Sequence, residues 1–143
     1  MLLPTQLETQ DSTLFSADTG RVASYAASSY IWLGQPKQAV PYAKEAIVFY
    51  SKANPEERSP TREAIARLDL AMSYVELGAP DDAAQEVDTA LTSERLTGSV
   101  VSRLGDLSTT MNRKYPLLDV TRAVHQHSLV MTSNLSQPAL LGS

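Results

Sequence analysis

Apolar side chains recur at intervals of three and four along most of this chain, the period of amphipathic helices that each bury one stripe. From Ala17 onward Val22, Tyr25, Ala26, Ser29, Tyr30 and Leu33 predict a first helix with those residues on its buried face. Gly34 stops it, because glycine accepts the left-handed conformation that closes a helix. Pro36 starts the next, since a first-turn residue has no hydrogen bond to lose. That second helix runs to about Lys52 and buries Ala39, Val40, Ala43, Ala46, Ile47 and Tyr50. Its small alanines let two helices approach closely. A polar connector follows over 53–58, and Ser59-Pro60 reads as an N-cap with a first-turn proline.

The third helix, over 60–77, offers Ala64, Leu68, Ala71, Met72 and Val75, and Gly78-Ala79-Pro80 repeats the stop and restart. Asp81 and Asp82 then fall in the first turn of the fourth helix, where the macrodipole favours negative charge. That helix buries Ala83, Ala84, Val87, Ala90 and Leu91. Val100, Val101, Leu104, Leu107 and Met111 predict a fifth, Tyr115-Pro116 breaks it, and Leu117, Leu118, Val120, Val124 and Leu129 carry a sixth. Residues 1–16 have no clear period and read as an irregular or partly helical lead-in; 17–131 form the helical repeat domain; 132–143, aperiodic and punctuated by Ser and Pro, read as a disordered tail.

The first two helix pairs are copies of one pattern. Tyr30/Tyr74, Leu33/Leu77, Gly34/Gly78, Pro36/Pro80, Ala39/Ala83 and Ala46/Ala90 are each 44 residues apart, and Ala27/Ala71 and Ser29/Ser73 extend the match backwards. A repeat of this length is the mark of stacked helical hairpins, each unable to bury its apolar face alone. The fold expected is all-α, about three antiparallel hairpins, the third degenerate.

These residues resemble the tetratricopeptide repeat. Ala27, Tyr30, Gly34, Ala39 and Ala46, and again Ala71, Tyr74, Gly78, Ala83 and Ala90, stand at that family's offsets for small residue, Tyr, turn Gly and paired alanines. Ala23 and Arg67 stand where the family prefers tryptophan, and the 44-residue spacing exceeds its usual period of about 34. More narrowly, the run R-L-D-L-A-M-S-Y-V-E-L-G-A-P-D-D-A-A and the helices after it look like the C-terminal helical-repeat region of actinobacterial helix-turn-helix transcription regulators, over about residues 17–131. The resemblance implies a right-handed superhelical stack that works by binding. Sixteen residues ahead of the first helix are too few for a DNA-reading module, so DNA binding is not expected of this chain.

By the family's offsets the first helix of each hairpin lines a groove. Arg21, Ser24, Ser28, Ile31 and Trp32 would face it in the first repeat, and Ile65, Leu68, Met72, Val75 and Glu76 in the second. Trp32 is an aromatic anchor, and its counterpart 44 residues on is Glu76. Such a surface suits a peptide or a small apolar molecule. The alternative is that Leu68, Met72 and Val75 pack beneath the third hairpin and fill the groove.

Composition narrows the classes further. The net charge of −4 is uneven: residues 1–94 carry 7 basic and 14 acidic side chains, residues 95–143 carry 5 and 2. The acidic balance argues against direct nucleic-acid binding, which needs clustered Lys and Arg. There is no cysteine, so disulfides and thiolate zinc sites are excluded. The first residues lack the basic and apolar regions of a signal peptide, and no apolar run is long enough to span a bilayer, so a cytoplasmic protein with no membrane partner is expected.

Motifs of catalysis are not evident. His125 and His127 are two apart and diverge by about 200° on a helix, so they cannot share a metal as an i,i+4 pair would. No nucleophile elbow, phosphate loop or dinucleotide fingerprint occurs, and no cofactor is implied. Asp81, Asp82 and Glu86 are better explained by a helix N-terminus than by paired acids. The function expected is a non-catalytic helical-repeat module for protein or peptide binding, the regulatory part of a transcription regulator by the second resemblance. The competing expectation is a small-molecule sensor or self-association module, its weakly capped C-terminal hairpin pairing with a second copy as a homodimer.

Overall fold

The computed structural model describes residues 12–52, 59–92 and 97–141 and, among them, consists of helices and their turns without a strand. The helices are α1 (Ser12–Trp32), α2 (Pro36–Lys52), α3 (Pro60–Glu76), α4 (Pro80–Ala90), α5 (Gly98–Lys114) and α6 (Asp119–Leu141). No helix among the described residues is long and apolar enough to cross a membrane.

The repeated Gly-x-Pro turns are closed by the same bonds. Gly34 and Gly78 adopt φ of 70° and 84°, the left-handed region. In the first turn the Gly34 amide donates to the Ile31 carbonyl at 3.0 Å and the Gln35 amide to Tyr30 at 2.8 Å. In the second, Gly78 donates to Val75 at 3.3 Å and Ala79 to Tyr74 at 2.8 Å. Both are Schellman closures, which satisfy carbonyls left over at a helix end. Pro36 and Pro80 then open α2 and α4. Ser59 caps α3 as the sequence predicts, its Oγ accepting from the Arg62 amide at 3.2 Å, with Pro60 in the first turn.

Two apolar clusters meet on α3. One joins Ala23 and Ala27 of α1 to Ala43, Ala46, Ile47 and Tyr50 of α2 and to Ala66 and Leu70 of α3. The other joins Ala64, Leu68, Ala71 and Val75 of α3 to Ala83, Val87 and Ala90 of α4, to Val100, Leu104, Leu107 and Met111 of α5, and to Val124 of α6. The two seams between hairpins differ. At the first, α3 lies against both α1 and α2; at the second, α5 lies against α3 and α6 against α4. The second half is therefore a four-helix arrangement around one core.

The buried face of α1 is not the one its larger apolar residues predict. Val22, Tyr25, Ser29 and Leu33 are exposed, while Ala23 and Ala27 are buried. Close approach explains the choice. A Cβ on Gly20 would collide with the Phe49 ring of α2, so α1 presents its small residues to α2 and turns the large ones outward. On α6, Leu129 is likewise exposed, as is Leu117 in the turn before it. The segment from Thr132, expected as a tail, continues α6 as far as Leu141. Thr132 bonds its Oγ1 back to the Ser128 carbonyl at 2.8 Å, which accommodates a polar residue within the helix. Of the expected lead-in, residues 1–11 lie outside the described part.

Candidate functional site

Because α3 touches α1 on one side and α5 on the other, the three first helices of the hairpins enclose a cleft of about 840 Å³. From α1 come Ser28, Ile31 and Trp32; from α3, Ile65, Leu68, Asp69 and Met72; from α5, Gly98, Ser99, Ser102, Arg103 and Asp106. The α1 and α3 walls are largely apolar, and the α5 wall is polar.

At the base lies a charged seam. Asp69 is buried although it sits between Leu68 and Leu70, and its carboxylate is held from both sides. Ser28 Oγ donates to Oδ2 at 2.8 Å, and the Arg103 guanidinium forms an ion pair with Oδ1. Burial pushes the Asp69 carboxyl above its ordinary value, with Arg103 and the Ser28 hydroxyl pulling in the opposite direction. Loss of hydration outweighs both partners. Arg103 keeps 38% of its side chain exposed, so the pair has a dry carboxylate end and a wet cationic end. Ser73, one turn along α3, donates its hydroxyl to the Asp69 carbonyl at 3.0 Å. The Ser28–Asp69–Arg103 chain thus ties α1, α3 and α5 together beneath the cleft and fixes the guanidinium's direction.

Comparisons with known proteins do not identify a relative. No family model, curated protein or solved structure matches this chain. The site is therefore read from its own geometry.

Of the groove residues expected from sequence, Ser28, Ile31, Trp32, Leu68 and Met72 line the cleft together, as does Ile65. Leu68 is at the same time almost wholly buried in the four-helix core. Val75 is enclosed in that core and takes no part in the lining. Glu76 is paired with Lys114 of α5 at 2.9 Å. Arg21 is exposed and Ser24 half-buried, and neither lines the cleft. Trp32 stands at the rim with 89% of its surface exposed.

Sequence reasoning missed the whole α5 wall and Asp69. One signal was available for Asp69: it falls inside the buried stripe of α3, where an acid requires a partner. Nothing in the linear pattern marked Arg103 as that partner. The two histidines find separate neighbours, His125 Nδ1 lying 3.3 Å from Ser108 Oγ and His127 Nε2 lying 3.7 Å from Asp88.

Proposed function

We propose that this protein is a binding scaffold of the tetratricopeptide kind, holding a protein or peptide segment in the cleft between α1, α3 and α5. The observation that carries this reading is Trp32, a large aromatic standing almost fully in solvent at the rim of a cleft with apolar and hydrogen-bonding walls. Exposed aromatics beside such a groove are the usual anchors of an interface. The oriented guanidinium of Arg103 and the hydroxyls of Ser99 and Ser102 supply hydrogen bonds for an extended backbone or polar side chain. A regulatory role within a transcription regulator is the setting suggested by the second resemblance.

A second reading has its own support. The volume of 840 Å³ lies within the range of small-molecule pockets, roughly 300–1,000 Å³. A small apolar ligand resting on Ile31, Ile65 and Met72 fits that space.

Trp32 is the sole tryptophan, so its emission reports on the cleft directly. Peptides selected from a random display library against the full chain are expected to shift that emission. In calorimetric titrations they should bind at least about tenfold more weakly to Trp32→Ala and Met72→Ala. Unchanged affinity in both variants overturns the peptide reading. Native mass spectrometry of the purified protein tests the second: a reproducible small adduct, lost on Trp32→Ala, supports a ligand site.

A further inference from the structure

The outward face of α1 is an apolar stripe. Val22, Tyr25, Ser29, Trp32 and Leu33 follow one another at spacings that keep them on one side of the helix. Val22, Tyr25, Trp32 and Leu33 are 64%, 63%, 89% and 67% exposed. No charged residue interrupts the stripe, and Arg21 stands on its flank.

The internal repeat shows what this face is for. Moving 44 residues along, Trp32 and Leu33 become Glu76 and Leu77, which are exposed, whereas Val22, Tyr25, Ala26 and Ser29 become Ala66, Asp69, Leu70 and Ser73 of α3. All four of those are buried. Ala66 and Leu70 pack into the cluster with α1 and α2, and Asp69 is bonded to Ser28 of α1. The N-terminal part of this face is thus a helix-docking surface in the second hairpin and lies open in the first. At the open copy Val22 stands in place of Ala66 and Tyr25 in place of Asp69, both larger and more apolar, while Ala26 is smaller than Leu70.

We propose that this face of α1 pairs with the same face of a second copy, about a two-fold axis near Ser29. The stripe is self-complementary. Two α1 helices crossing antiparallel at the small Ser29 bring Tyr25 of each against Leu33 of the other, with no like charges opposed along the stripe. The area is sufficient for a reversible dimer. Buried aromatics contribute about 150–250 Å² each. With those exposures the stripe supplies roughly 500 Å² per copy, near the total of about 1,000 Å² that a specific interface requires. This interface places self-association on the first hairpin, not the C-terminal one, and shares Trp32 with the rim of the cleft.

Sedimentation velocity of the full chain over a range of concentrations tests the pairing. A monomer–dimer equilibrium is expected, weakened about tenfold or more by Val22→Ser with Tyr25→Ser. Both residues are exposed and outside the cleft lining, so circular dichroism and thermal unfolding at concentrations where wild type is monomeric should be unaltered. The cysteine-free chain permits a second measurement. Ser29→Cys should oxidise quickly to a disulfide-linked dimer, whereas Gln85→Cys on the exposed side of α4 should not. A chain that stays monomeric at all concentrations overturns the proposal. So does a dimer that ignores both substitutions, or a Ser29→Cys thiol that links no faster than Gln85→Cys.

Discussion

Ser28 on α1 donates a hydrogen bond to Asp69 on α3 at 2.8 Å, joining residues 41 positions apart across the seam between two hairpins. The contact is polar where the equivalent seams of a helical stack are ordinarily apolar. It holds because Arg103 meets the other carboxylate oxygen from α5. One buried acid thereby links three helices at the base of the cleft between them.

That acid makes stability depend on pH in a particular sense. Asp69 has its carboxyl raised from the ordinary 3.8 by burial, so on raising the pH the unfolded chain loses this proton before the folded one. Between the two values the folded state binds more protons, and its stability falls as pH rises. The contribution is fully present below 3.8 and is lost as pH passes through the raised folded value. Chemical unfolding of wild type and Asp69→Asn across that window should show the wild type declining relative to the variant as pH increases. A flat difference between wild type and Asp69→Asn counts against the burial argument.

Gly20 is required for steric reasons, not for backbone freedom. An added Cβ would stand 2.7 Å from Phe49 Cε1 and 2.9 Å from its Cγ, too close to Cγ for ring rotation alone to relieve. Gly20→Ala should therefore destabilise the first hairpin by about 1–3 kcal/mol, against a helix-propensity gain of under about 1 kcal/mol. Combining it with Phe49→Leu should restore part of the loss in urea midpoint. Full stability of the single variant would mean that the hairpin spreads without cost.

Gly34 and Gly78 test the opposite case. Nothing lies within 4 Å of a Cβ built on Gly34, and only the Tyr115 hydroxyl, at 3.9 Å, approaches one on Gly78. Alanine at either should cost about 1–2 kcal/mol from left-handed strain alone. The two losses should be similar in thermal unfolding. Markedly different values would show that the repeated turns are not energetically equivalent.

Thr121 is wholly buried in α6, and its Oγ1 has no hydrogen-bond partner among the described residues. Thr121→Val keeps the shape and removes an unsatisfied hydroxyl, so stability should rise by about 1 kcal/mol. A decrease in the denaturation midpoint would indicate that the hydroxyl is satisfied in solution.

The start of α1 at Ser12, the end of α6 at Leu141 and the second buried face of α3, Ala66 and Leu70, were not marked in the sequence, but the Gly-x-Pro turns, the Ser59-Pro60 start of α3 and one buried stripe on each of α2 to α5 were. Those features are local. A left-handed glycine with proline two residues on closes and reopens a helix whatever surrounds it, and a stripe of Ala, Val and Leu at one helical phase marks one face that must be buried. The phase of α1 was decided only by tertiary packing. Large residues on one side compete with small ones on the other, and the close approach of α2 at Gly20 selects the small. Half of the cleft followed from the offsets of the repeat family that the chain resembles, through Ser28, Ile31, Trp32, Leu68 and Met72. Its polar half was not, since Asp69 and Arg103 are 34 residues apart and nothing in either helix alone requires the other. Only the packing of α5 against α3 removes water from that carboxylate, and the loss of hydration is what makes the guanidinium its necessary partner.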